Sequence, residues 1–206
     1  ASPPMNRFFL APDEMSEEER AAGHALIALC NKHDLWVRLS DWRLDTEVRY
    51  PEVADLGAWG NKPDYSIWFS RGDWALHMSC GTRRYLTIAR ADASRVARLP
   101  GHEDLAAFTQ TYRLTPGSCD PTSLSRPTID WPRVAADYDG VVFPTVLDSP
   151  LMAGYDVATL VFWAPTALAA AVTFDLGAEA VEAPRTHVPI ARGILPRVQD
   201  WVAQTM

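Results

Sequence analysis

The sequence predicts an α+β domain: a mixed, mostly antiparallel sheet with an N-terminal and a C-terminal helix packed on it. Apolar residues recur at helical spacing near both ends and in 103–112, and strand-like runs fall between them at Leu35–Leu39, Tyr65–Ser70, Tyr85–Ile88, Val141–Phe143 and Ala158–Trp163. The two kinds interleave irregularly, with no βαβ rhythm and no internal repeat, which disfavours a parallel doubly wound sheet. The 206 residues, 48% hydrophobic and 22% charged, read as a single domain over 1–206, with its core in 15–177 and a linker and helix in 178–206.

The first helix runs from Ser16 to about Lys32. Ser16 with Glu17, Glu18 and Glu19 forms a capping box and sets negative charge at the positive end of the helix dipole, while Ala22, Leu26, Leu29 and Cys30 make its apolar stripe. In the strand Leu35–Leu39, Leu35, Val37 and Leu39 share one face, so Arg38 leaves the core. Ser40 to Pro63 then carries Pro51, Gly57, Gly60 and Pro63; it reads equally as a binding lid or as a surface excursion, partly helical through Pro51–Leu56.

The stretch from Asp64 to Ala89 organises the rest. Tyr65, Ile67 and Phe69 alternate with Ser66, Trp68 and Ser70; Asp73 caps a short helix carrying Trp74, Leu76 and Met78, stopped by Gly81; Tyr85–Ile88 is the next strand. Leu105, Phe108 and Tyr112 form the buried stripe of a helix over 103–112. After a Pro/Ser/Thr/Gly-rich loop over 113–127, Asp130 caps a helix with Pro132 in its first turn, ending near Asp139-Gly140. A loop over 145–156 joins the strands at 141–143 and 158–163, Val172–Gly177 is a last strand, and after a linker over 181–192 Ile194, Leu195, Val198, Trp201 and Val202 line a terminal helix.

Composition bounds the function. A net charge of −7 offers no basic footprint, so nucleic acid and anionic membrane surfaces are disfavoured as partners. Of 19 basic residues only Lys32 and Lys62 are lysine. Cys30, Cys80 and Cys119 are too widely spaced for a disulfide framework and suit a reducing, cytoplasmic compartment. With no long apolar run and no basic-then-apolar leader, neither a transmembrane helix nor a signal peptide is expected, and Ala1–Pro4 read as an appended or processed end. His24, His33, His77, His102 and His187 and the cysteines never reach ligand spacing, so no metal is expected.

Three enzymatic readings use overlapping residues. Asp137-Tyr138-Asp139-Gly140-Val141-Val142 resembles the nucleophile loop of haloacid-dehalogenase-type phosphatases. That chemistry also needs a strand delivering the first aspartate, a later lysine and a later acidic pair, and no lysine follows Lys62. Gly140-Val141-Val142-Phe143-Pro144-Thr145 and Gly57-Ala58-Trp59-Gly60-Asn61-Lys62-Pro63 are similar to segments of the RES-domain NAD-consuming toxins, with Arg38 as the strand arginine; Thr145 stands where that family has serine, and Ala75-Leu76-His77-Met78 where it has glutamate. Arg38 on an early strand, Trp68-Phe69-Ser70 ending the next and Asp156 before a late strand resemble the broader ADP-ribosyltransferase-like fold, over roughly 35–163. The segment from Ile129-Asp130-Trp131 to Gly140 is also similar to stretches of bacterial proteins of unassigned activity.

The resemblance to the ADP-ribosyltransferase-like fold implies NAD as substrate and a catalytic set of Arg38, Ser70 and Asp156. The dinucleotide would be bound by Arg38, Tyr65, Trp68, Ser70 and Thr145. The chemistry suits those residue types: a guanidinium fork for phosphate or ribose oxygens, an aromatic face for nicotinamide, and a carboxylate for the oxocarbenium ion that forms as the glycosidic bond breaks. A different class stays open, a non-catalytic interaction or immunity-type module, because Trp42 and Trp59 stand on irregular segments where they could anchor a protein partner.

Overall fold

A computed structural model describes residues 17–58, 60–71, 84–114, 127–176 and 190–206. The cap at Ser16, the helix after Asp73, Trp59, Cys80, Cys119, most of the loop over 113–127 and most of the linker over 181–192 lie outside these residues. The order is α1 (Glu17–Lys32), β1 (Leu35–Ser40), β2 (Ile67–Ser70), β3 (Tyr85–Ala91), β4 (Val96–Arg98), α2 (His102–Tyr112), α3 (Trp131–Asp137), β5 (Gly140–Phe143), β6 (Thr159–Phe162), β7 (Leu168–Asp175) and α4 (Ile190–Thr205). The strands hydrogen-bond in the order β4-β5-β6-β2-β1-β3-β7. The sheet is mixed: β5 runs parallel to β4 and antiparallel to β6, and β1 is antiparallel to both β2 and β3. The α+β class is thereby established.

The chain forms two compact units, one of residues 1–48, 70–90 and 170–206, the other of 49–69 and 91–169. In the first, α1 and α4 lie against the sheet. Leu26 and Cys30 of α1 and Ile194, Val198 and Val202 of α4 bury their side chains with Leu35, Val37, Leu86, Ile88 and Phe174. The apolar spacings 26/30 and 194/198/202 set one stripe on each helix, and strand alternation sends Leu35, Val37, Leu86 and Ile88 to meet them. The opposite sheet face is more polar. There Arg38 stands across from Thr87, whose hydroxyl lies 3.0 Å from that of Thr173, and the Arg71 guanidinium stacks 4.0 Å from the buried Trp36 ring while donating to Asp34 and the Leu35 carbonyl.

The second unit has its own core. Leu105, Phe108 and Tyr112 of α2 and Trp131 and Val134 of α3 pack with Val141, Phe143, Val161 and Trp163. The Phe108 ring centroid lies 4.9 Å from Tyr112 and 6.1 Å from Trp131, which meets Trp163 edge-on at 6.1 Å. The two indoles of this core keep their polar handles satisfied: Trp131 Nε1 donates to the Gly60 carbonyl and Trp163 Nε1 to that of Tyr138. Asp130 caps α3 by accepting from the Arg133 N–H at 3.2 Å, and Pro132 occupies the first turn as its fixed φ allows. Among the described residues, the long segment after β1 contains one 3-10 turn, Val53–Leu56, whose Leu56 is fully buried, so this part of the excursion is pinned to the core.

Candidate functional site

Asn61 and Lys62 leave the long segment side by side, and both reach the loop that precedes β6. Asn61 is buried, and its Nδ2 donates to the carbonyls of Leu151 at 2.7 Å and Ala153 at 2.9 Å. The Tyr155 hydroxyl donates to the Asn61 carbonyl at 2.9 Å. Burial holds the Tyr155 phenol well above its ordinary range, so it remains protonated and keeps that donor. Its ring packs 4.8 Å from Phe143 on β5 and 5.6 Å from Trp68 on β2, centroid to centroid.

Over this aromatic pair stands the Lys62 ammonium, 4.9 Å from the Tyr155 centroid and 5.7 Å from that of Trp68, donating to the Gly154 carbonyl. Lys62 is exposed and Trp68 half-buried, so one side of the cluster opens to solvent. Asp156, the next residue after Tyr155, is exposed. The arrangement presents cation-accepting ring faces and a lysine ammonium, with Asp156 next along the chain, all within the unit of residues 49–69 and 91–169.

The other sequence-predicted residues take these positions. In the first unit, Ser70 pairs across the ladder with Val37, so its side chain belongs to the face opposite Arg38. These two residues are not brought together. Thr145 is exposed two positions beyond β5. Tyr65 precedes β2 rather than belonging to it: it takes a left-handed φ of 54° and is 80% exposed, so it does not share the core face of Ile67 and Phe69.

The carboxylates of the dehalogenase-like segment are engaged in packing. Asp137 lies in the last turn of α3 and accepts from the Tyr112 hydroxyl at 2.7 Å. Asp139 is nearly buried and accepts from Arg95 Nε and from the Thr166 hydroxyl, each at 2.7 Å. The strand follows these aspartates instead of delivering them.

Among the described residues no group of three or more His, Cys, Asp or Glu is placed to hold a metal ion, and no helix is long and apolar enough to cross a membrane. No protein-family model, curated protein or solved structure matches the chain.

Sequence reasoning passed over Asn61, Lys62 and Tyr155 as site residues. The available signals were local: a Gly60-Asn61-Lys62-Pro63 turn holding one of only two lysines, and a tyrosine just before Asp156. Neither discloses that the two segments meet.

Proposed function

We propose that the protein binds NAD and cleaves its nicotinamide–ribose bond at the Trp68–Tyr155 cluster. The observation that carries this reading is the seat of the Lys62 ammonium over both rings, because the same faces suit the cationic nicotinamide ring. Asp156 supplies the second requirement. As the C–N bond breaks, its electron pair leaves with nicotinamide, which becomes neutral, and positive charge develops on the ribose C1. A carboxylate beside that carbon stabilises the transition state more than the ground state. Water or an acceptor hydroxyl then adds to C1 and releases its proton to solvent. The proposal does not use Arg38 with Ser70, which face opposite sides of the ladder.

The test is titration with NAD, read by tryptophan fluorescence and by nicotinamide release. Saturable quenching with release of nicotinamide supports the reading, and silence of both at millimolar NAD rejects it. A second reading, a non-catalytic protein-interaction module, is favoured by Tyr65. A tyrosine held at positive φ with its ring in water gains no core contact in return for that backbone conformation. That reading expects Tyr65→Asn to leave NAD behaviour unchanged and to raise thermal stability, because asparagine tolerates the left-handed region.

A further inference from the structure

The position of Lys62 raises a question of competition. A pyridinium ring cannot lie on the Trp68 and Tyr155 faces while an ammonium occupies them, because both are cations and both need the same negative ring surface. We infer that Lys62 is an intramolecular occupant of a cation-accepting aromatic site, and that an external pyridinium or quaternary ammonium group enters only by displacing it.

Three features support this. The rings are preset: Tyr155 is buried, fixed through its hydroxyl to the Asn61 carbonyl and packed on Phe143, so the seat does not depend on Lys62 to form. Lys62 is exposed, so its displaced ammonium regains water readily. The Gly154 carbonyl that now accepts from Lys62 remains at the seat's edge, a further acceptor that favours a cation over a neutral ring. A site whose open form is only partly populated binds its ligand more weakly in proportion to that population, so removing the internal cation should tighten external binding.

This inference shares with the proposed function the claim that Trp68 and Tyr155 receive a cation, and makes no claim about bond cleavage. The experiment is calorimetric titration of the full chain with 1-methylnicotinamide, a permanent pyridinium cation, and with neutral nicotinamide. Lys62→Gln should bind the cation about 2- to 5-fold more tightly than the parent, the range spanned by an exposed cation–aromatic contact. Lys62→Arg, which keeps the charge, should not, and neutral nicotinamide should gain much less. Adding Trp68→Leu to Lys62→Gln should remove the gain.

Equal or weaker binding of the cation by Lys62→Gln overturns the inference, as does an equal gain for neutral nicotinamide, which would mark steric opening instead of charge competition. Absence of cation binding by both proteins at millimolar ligand overturns it too. If Lys62→Gln tightens as expected and NAD is never cleaved, the inference stands and the proposed function fails. If NAD is cleaved and Lys62→Gln shows no tightening, the reverse holds.

Discussion

The hydroxyl of Tyr155 donates a hydrogen bond of 2.9 Å to the main-chain carbonyl of Asn61, and the Asn61 side chain answers with two bonds to the carbonyls of Leu151 and Ala153. Two segments some 90 residues apart are fastened from both sides. With Asn61 buried, Asn61→Ala removes the side-chain donor from two carbonyls, and the expected loss of stability is about 2–4 kcal/mol. Asn61→Asp should cost at least as much, since it turns an oxygen toward carbonyl lone pairs. Chemical denaturation measures both.

Gly140 opens β5 opposite Phe162, and a Cβ built on it would come within 2.7 Å of both the Phe162 Cβ and the Val161 carbonyl oxygen. Backbone and a buried aromatic stem cannot yield as the tip of a flexible side chain can. Gly140→Ala should therefore destabilise the protein by about 1–3 kcal/mol, by overpacking. An unchanged melting temperature would contradict this.

Burial pushes the Cys30 thiol up to about 11 from an ordinary 9.0, with Arg71 opposing in part. Above the ordinary value the unfolded chain loses this proton while the folded one keeps it, so the native state binds more protons and stability falls with rising pH. The loss begins near pH 9 and is complete above pH 11, on the order of 3 kcal/mol. Tyrosines also titrate at the upper end of this window, so the informative quantity is the difference in denaturation midpoint between the parent and Cys30→Ala. That difference should change across the window and stay flat below pH 8.

Asp156→Asn should preserve fold and NAD binding while lowering turnover by ~10²–10³, because the carboxylate acts on charge present only in the transition state. Steady-state nicotinamide release distinguishes this from a loss of binding, which would raise KM instead.

Much of the fold was legible because periodicity reports which face is buried. The spacing of Leu105, Phe108 and Tyr112 identified α2 and its buried stripe, and Asp130 with Pro132 marked the start of α3. The strand over Val96–Arg98 has no signature in the sequence. Three residues ending in an arginine show no alternation, and their strand character comes from pairing with β5. Strand β7 begins at Leu168, whereas the sequence places its start at Val172, because the run Ala169-Ala170-Ala171 carries little β preference of its own. Tyr65 looked like a strand residue by alternation, and no pattern of apolar residues discloses a positive φ. The cluster of Lys62, Trp68 and Tyr155 was hidden for a related reason: periodicity is local, and this contact joins segments distant along the chain.

Strands β4 and β5 are neighbours in the sheet and run parallel, yet the chain between them, residues 99–139, includes all of α2 and α3. A parallel pair cannot be closed by a tight turn, so its first hydrogen bond requires that whole excursion to return. The pairing of β5 with β6, closed through the shorter chain of 144–158, meets a smaller entropic barrier. Loop closure alone therefore favours β5 and β6 joining before β4 docks onto their edge, an order that pulse-labelling hydrogen exchange during refolding checks. The helices α2 and α3 thus have two roles, as length on the loop that β4 and β5 must close and as core once it has closed.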